Sequence, residues 1–364
     1  MTRRFGIEEE YFVVDPVTRQ VVPRGGPVVA RAHAALGDRA SSELLSSLVE
    51  AKTPPCDDLA KLTDQVRAMR AAMAGAAARE DVALAATGTP VLGELLPPPL
   101  TPGPRYAESL ATYRALDEEQ CICSCHVHVE VSSPARAVAA ANHLRRWLPA
   151  LLALTANSPY WAGRDTGHAC WRALTWARWP VAGPPPHFTS AAHYEELVGA
   201  LLESGALMDR ATVFWDVRPS DHLPTVEVRL ADVALTAADA ATFAGLVRAL
   251  VTRGLEDEEA GRPPSRPSGE LLRAAYWLAA RHGLSGPGLD VATGRTVPAA
   301  DLVTGLLDHA APALADAGDL TAVRRGVAAI LMRGTGAARQ RAAFRRRERL
   351  TDVVDLALLR PDGP

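Results

Sequence analysis

Lysine is almost missing from this sequence. Among 364 residues only Lys52 and Lys61 occur, and arginine supplies nearly all the positive charge. Acidic and basic groups nearly cancel, leaving a formal charge of −3, so the chain lacks the basic excess that nucleic-acid binding calls for. It also lacks any apolar run of the roughly 18–20 residues needed to cross a bilayer as a helix, so no membrane partner is expected. The opening "MTRRFGIEEE" has no apolar core of a secretory leader, and none is expected. Five cysteines, an odd number without such a leader, fit a reducing cytoplasm and free thiols. No Walker-type lysine loop is present, nor a G-x-G-x-x-G run ahead of a helix, which excludes both common phosphate loops.

What is present is an ordinary globular composition, 48% hydrophobic and 22% charged, long enough for a large core. No internal repeat is visible. Proline-rich stretches at Leu95–Pro104, Trp179–Phe188 and Gly261–Gly269 are short, and periodic patterns resume after each. They read as loops within a single domain over residues 1–364. Helical periodicity predicts helices at Leu59–Glu80, Pro134–Thr155, Ala191–Leu202, Ala237–Glu259, Glu270–His282, Pro298–Ala317 and Leu320–Met332. Strands are expected at Gly6–Val14, Leu48–Thr53, Ala83–Gly88, Cys121–Val131, Thr212–Arg218 and Thr225–Asp232. Strands and helices do not alternate regularly, which disfavours Rossmann and TIM architectures. The expected class is α+β, an antiparallel sheet with helices packed on one side.

Three of the expected strands carry chemistry on one face. In "FGIEEEYFVV" the apolar neighbours favour a strand, yet Glu8, Glu9 and Glu10 interrupt it. Alternation puts Glu8 and Glu10 on one side and Glu9 on the other. Burying two like charges unpaired costs several kcal/mol or more, so that face is either open to water or covered by something positive. In "CICSCHVHVEV" the cysteines and valines share the core-facing side, while His126, His128 and Glu130 share the opposite side. A zinc site on Cys121, Cys123 and Cys125 would lack the usual knuckle spacing. In "TVEVRL" Glu227 and Arg229 share a face, with Arg218 shortly before them. Read alone, that strand is an amphipathic one with a surface ion pair worth little. Glu43 and Glu50 add two acids from "SSELLSSLVEAKTP". Several carboxylates with imidazole suit a hard divalent cation better than zinc, and interspersed arginines suit phosphate oxygens. Together these groups read as a metal–polyphosphate floor, most naturally for Mg-ATP.

The segments "FGIEEEY", "CSCHVHVEV", "TANSPYWAGRDTG", "WPVAGPPPHF", "WDVRPSDHLPTVEVRLADV" and "GTGAARQRAAFRRRERLTDVVDL" resemble, in order and over essentially the entire chain, the carboxylate–amine ligase family, also called glutamate–cysteine ligase type 2. The resemblance implies a glutamine synthetase-like fold, a curved antiparallel sheet lining the active site with helices outside. It implies that Glu8, Glu10, Glu50 and Glu227 bind Mg2+ (or Mn2+), that His126 is linked to the metal, and that Glu43 stands where relatives offer an acid. By the same resemblance Arg229, Arg218 and His128 meet ATP, and Arg172 meets the amino-acid substrate or the transferring phosphate. Arg164 and Asp165 are left as a structural clasp. Glu130 replaces a more usual glycine and is expected at the solvent end of its strand. Ser124 and the "HACW" stretch before Arg172 also depart from the pattern, beside the acceptor pocket.

The implied reaction is cytoplasmic and ATP-dependent. A carboxylate, the γ-carboxylate of L-glutamate, is activated as an acyl phosphate and captured by an amine, L-cysteine or another. The partners are small-molecule amino acids and amines, and the oligomeric state stays open, a homo-oligomer included. A metal-dependent amidohydrolase using the "HVH" pair would place that pair on the first strand of a βα series, which is lacking. A catalytically silent nucleotide-binding relative would be expected to lose acids from the floor, and none is lost. The arginine-rich "RQRAAFRRRERL" is interrupted by Glu348 and charged on most sides, which reads as a solvated helix pairing with acids elsewhere.

Overall fold

The computed structural model describes residues 2–93 and 97–360. Strands form at β1 (Phe5–Val14), β2 (Ala40–Ser42), β3 (Leu48–Lys52), β4 (Ala83–Ala85), β5 (Ser124–Glu130) and β6 (Tyr160–Trp161). They continue with β7 (Arg164–Asp165), β8 (Val217–Pro219), β9 (Thr225–Asp232), β10 (Pro287–Asp290) and β11 (Arg295–Pro298). Helices in the first half are α1 (Gly25–Leu36), α2 (Leu59–Ala78), α3 (Pro104–Tyr113), α4 (Ala115–Glu118), α5 (Pro134–Leu144), α6 (Leu148–Thr155) and α7 (Trp171–Trp176). The second half adds α8 (Ala191–Glu203), α9 (Ala237–Glu259), α10 (Gly269–His282), α11 (Ala299–Asp316), α12 (Leu320–Arg333), α13 (Gly336–Arg347) and α14 (Leu350–Ala357).

The main sheet runs β2-β3-β1-β5-β9-β8, with β4 paired to the far end of β1. Its pairings are antiparallel throughout the described residues. β1 is central because its ten residues serve three neighbours: Glu8–Phe12 lie against β3, Phe5–Glu9 against β5, and Phe12–Val14 against β4. One face of the sheet packs on helices. Ile7, Cys125, Val127, Val129, Val226 and Val228 join a continuous core with residues of α2, α6 and α9. α9 crosses behind the sheet, starting where the Thr236 side chain accepts the Asp239 N–H and burying Phe243, Leu246, Val247 and Leu250.

Most predicted elements form, with informative departures. The helix expected over Pro134–Thr155 is two helices. Pro149 has no N–H to donate and is accommodated in the first turn of α6, so the chain stops at Leu144 and restarts at Leu148. Of Cys121–Val131 only Ser124–Glu130 joins the ladder, and of Ala83–Gly88 only Ala83–Ala85. Within Thr212–Arg218, Asp209 caps a short 3-10 turn and only Val217–Arg218 continues into β8. The β6–β7 hairpin closes through Ala162 and Gly163, both at positive φ (47° and 82°), the backbone of a two-residue primed turn. The loops expected at Trp179–Phe188 and Gly261–Gly269 are irregular, except that Gly269 already opens α10, and Leu95 and Leu96 of the first proline-rich stretch lie outside the described residues.

The side of β1 opposite Glu8 and Glu10 is not open to water. Glu9 is 0% exposed, pointing into the helix layer. There Arg70 of α2 forks onto it, Nε to Oε2 at 2.8 Å and Nη2 to Oε1 at 2.5 Å. Tyr11 Oη donates to Oε2 at 2.7 Å, and Arg70 Nη2 also reaches the Ala234 carbonyl at 2.8 Å. A buried, forked ion pair tolerates loss of neither partner. Arg70→Ala should therefore lower stability by about 3–5 kcal/mol, read as a lower denaturant midpoint. A shift within about 0.5 kcal/mol, as at an ordinary surface site, would show the pair to be inert.

Candidate active site

The free face of the sheet collects the predicted groups by register. Glu10 lies opposite Glu50, Glu8 opposite both Lys52 and His126, His128 opposite Glu227, and Arg218 opposite Glu227. Between Cys125 and Val127 the pairing of β5 with β9 slips by one residue. Strict alternation from Glu227 would turn Asp232 toward the helices. With the slip it meets Arg172 instead, Nε to Oδ1 at 2.8 Å.

The ionic contacts are dense. Lys52 Nζ is 2.8 Å from Glu50 Oε2 and 3.4 Å from Glu8 Oε1. His126 Nδ1 is 3.4 Å from Glu8 and 3.7 Å from Glu227, while its Nε2 meets Ser124 Oγ at 2.7 Å. The Ser124 N–H donates to Glu10 Oε2 at 2.7 Å and Ser41 Oγ to Glu50 Oε2 at 2.8 Å. Arg218 Nε donates to Glu227 at 2.9 Å, and Arg229 pairs with the same carboxylate. His128 Nε2 stands 3.5 Å from Glu8 Oε1 without hydrogen-bond alignment. Three overlapping triads have their ligand atoms within 4.8 Å of one another: Glu8–Glu50–His126, Glu8–His128–Glu227 and Glu10–Glu43–Glu50.

The acids respond in opposite directions. Burial works against ionisation of Glu8, but His126 and His128 beside it hold its carboxyl well below the usual range. Glu227 likewise overcomes burial through Arg229 and Arg218 and is depressed. Glu43, partly open at a cavity, is pushed well up by withdrawal from bulk water and by Glu50 and Glu10. Burial and Glu8 raise Glu50 despite Lys52. So the protein's own cations satisfy the Glu227 end and leave the Glu43–Glu50 end short of positive charge. Among the described residues, His128 Nε2 and Arg229 Nε are buried without a hydrogen-bond partner. An oxygen-rich donor set with imidazole, an excess of acid and unfilled nitrogen donors fits a hard divalent cation with an anionic ligand.

Arg172 is 2% exposed and held by Asp232 and the Leu230 carbonyl, with its side chain at the wall of a cavity bordered by Glu10, Glu43 and Arg229. Asp165 is clasped, but by Arg341 of α13 at 2.7–2.8 Å, where the sequence suggested Arg164. The arginine-rich helix thus pairs with acids elsewhere, Arg339 reaching Asp239 as well. Glu130 is exposed at the end of β5, accepting the Arg4 N–H. The cysteines are free and buried, and no candidate ligand triad includes one among the described residues. Sequence reasoning missed Lys52, although it lies two residues beyond Glu50 on the same face and is one of only two lysines. It missed Asp232 for want of any signal, because strand parity points it the wrong way.

The fold is α+β and glutamine synthetase-like, with the antiparallel sheet lining the candidate site, and comparison with known proteins supplies the family. The family model described as glutamate–cysteine ligase family 2 matches residues 4–355, and the chain belongs to that family. It is a carboxylate–amine ligase. It is 45% identical over 356 residues, 97% of this chain and 93% of the relative, to a Saccharopolyspora erythraea protein named "Putative glutamate--cysteine ligase 2-1". A Mycolicibacterium smegmatis protein, "Putative glutamate--cysteine ligase 2-3", is 43% identical over 358 residues, 96% of each chain. In fold the chain is similar to glutamate–cysteine ligase from Francisella tularensis in complex with AMP. The TM-score is 0.75 at 14% identity, covering 98% of this chain and 88% of that one. It is also similar to a bifunctional glutathione synthetase from Pasteurella multocida, with TM-score 0.70 at 14% identity, covering 98% of this chain and 52% of that one.

Lys52 is the one lysine in contact with two floor acids, so its removal is diagnostic. Lys52→Met should lower the melting temperature by several degrees without divalent cation, because Glu8 and Glu50 then repel unshielded. Added Mg2+ or Mn2+ should raise it more than in the parent protein, measured by thermal shift. Equal cation responses in the two proteins would separate Lys52 from the cation site.

Proposed function

We propose that the chain is an ATP- and Mg2+-dependent ligase joining the γ-carboxylate of L-glutamate to an amine, with Mn2+ an effective substitute for Mg2+. The observation that carries this reading is the convergence of Glu8, Glu10, Glu50, Glu227 and His126 on one sheet face, with Glu43 at its edge and two arginines on Glu227. In this reading those six residues hold the cations, which supply charge neutralisation for the polyphosphate when bound. Arg218, Arg229 and His128 bind phosphate oxygens. Arg229 Nε and His128 Nε2 are the unfilled donors for that task. The AMP of the Francisella tularensis ligase is in keeping with an adenine nucleotide here.

Arg172, fixed by Asp232, is positioned to meet the transferring phosphoryl group or the amino-acid carboxylate. A glutamate γ-carboxylate oxygen attacks the γ-phosphorus of ATP, the bond to the β-bridging oxygen breaks, and ADP leaves. The amine nitrogen then attacks the acyl carbon, the C–O bond to phosphate breaks, and nitrogen gives up a proton to leave an amide and inorganic phosphate. Fixed guanidinium groups are aimed where charge develops and need no reorganisation, which is the main source of rate in such transfers. Residues 1–364 act as a single catalytic domain in this reading, supported by a core that runs from β1 to α14, and the reaction is cytoplasmic. L-Cysteine or another amine is the acceptor.

ADP release should require glutamate, an amine and Mg2+ together, and cleavage of an amide without ATP would overturn the ligase reading. Glu227→Gln should cut turnover about 100-fold or more while the circular dichroism spectrum is kept. Undiminished turnover would remove Glu227 from the site.

A further inference from the structure

Beside the Glu10–Glu43 end of the floor lies a cavity of about 190 Å³, roofed by α3 and α7. About 150 Å³ of apolar space suffices for a benzene ring. Its outer walls are Trp176, Phe214, Trp179, Met208 and Tyr106. Trp176 and Phe214 have ring centroids 4.7 Å apart, and Trp179 meets Phe214 edge-on at 5.3 Å, so the wall is a packed aromatic surface.

Of the polar side chains on this wall, Ser109 and Thr212 included, Gln120 alone has a buried atom without a partner among the described residues. Gln120 is 4% exposed and lines the cavity. Its orientation is set by Trp179, whose indole N–H can only donate and does so to Gln120 Oε1 at 3.3 Å. The amide nitrogen Nε2 is therefore turned to a place where, among the described residues, it has no partner. A buried donor left unmet calls for a ligand acceptor. Charge is distributed unevenly along the cavity. The floor end has Glu10 and Glu43, given to the cations in the ligase reading, so the acceptor meets that end with its amino group as the neutral nucleophile. Arg172 and Arg229 stand at that same end, paired with Asp232 and Glu227 and committed in the ligase reading to phosphate oxygens and the glutamate carboxylate. Away from the floor, Arg105 is spent on Asp209. No guanidinium is left over for a carboxylate on the acceptor.

Resting on the ligase reading above, we propose that this cavity binds the acceptor amine, and that the acceptor is an arylalkylamine carrying a neutral hydrogen-bond acceptor on its ring and no carboxylate. The amino end lies toward the floor, the ring lies among Trp176 and Phe214, and Gln120 Nε2 donates to the ring substituent. Gln120 is then the residue that determines specificity.

The test is ADP release with glutamate and a panel of tyramine, phenethylamine, L-tyrosine and L-cysteine, in the parent protein and in Gln120→Leu. Tyramine should exceed both phenethylamine and L-tyrosine in kcat/KM by about tenfold, one hydrogen bond or one unpaired charge each. Gln120→Leu should bring the tyramine to phenethylamine ratio near one. If L-cysteine or L-tyrosine equals tyramine in the parent protein, or the ratio survives Gln120→Leu, the inference falls and the ligase reading stands. If no amine elicits ADP release, both fall. The parent panel decides by itself should Gln120→Leu fail to fold.

Discussion

Everything in this molecule answers to one electrostatic demand, the crowding of carboxylates onto a single sheet face. Glu8, Glu10, Glu50 and Glu227 are brought within reach of one another by backbone pairing, which is indifferent to their charge. Hydrogen-bond ladders supply the proximity, and Lys52, Arg218, Arg229 and two histidines offset part of the repulsion. The offset is uneven, because Glu227 is held ionised while Glu43 and Glu50 are driven toward the protonated form. That imbalance leaves the Glu43–Glu50 end short of positive charge, unlike a self-satisfied ion-pair network.

The reverse of the sheet solves the opposite problem. A strand that carries acids on its outer positions must still bury its inner ones, and β1 places a third glutamate there. Arg70 and Tyr11 neutralise Glu9 inside the helix layer, pinning α2 to the centre of the sheet directly behind the floor. A buried ion pair gains little net stability over well-packed apolar side chains, but it penalises any shift of register, since a slipped strand would leave Glu9 unpaired. We read the pair as holding Glu8 and Glu10 in place from behind.

A second anchor works through Asp232. It accepts from the Asn157 N–H at 2.6 Å, Ser158 Oγ at 2.7 Å and Arg172 Nε. Asn157 is in turn engaged by Gln340 of α13 at 2.7 Å. The arginine-rich C-terminal helix is thus tied by Gln340 and by Arg341 to the segment that carries Arg172. Arg339 and Arg341 are paired with Asp239 and Asp165 and Arg347 with Asp352, while Arg345 and Arg346 lie on the exposed side, the pattern of a solvated helix.

How much of this was legible in the chain differs from residue to residue. The period of two in "FGIEEEYFVV", "CHVHVEV" and "TVEVRL" determines which side chains share a face, because strand geometry leaves no alternative. From that alone follow which acids and imidazoles share the free face and which cysteines face the core. Alternation says which acids part company and stays silent on what each side meets, so the helix waiting over Glu9 was invisible. The slip between β5 and β9 reverses the parity of Asp232, and its bond to Arg172 depends on that local irregularity of pairing. Pro149 could be seen, but whether it kinks a helix or opens a second one depends on packing. The aromatic wall around Gln120 joins Tyr106, Trp176, Trp179 and Phe214, residues whose separation in sequence carries no period. The linear pattern determined the chemistry each strand presents, while the distances among those chemistries were decided only when long-range pairing and helix packing closed around them.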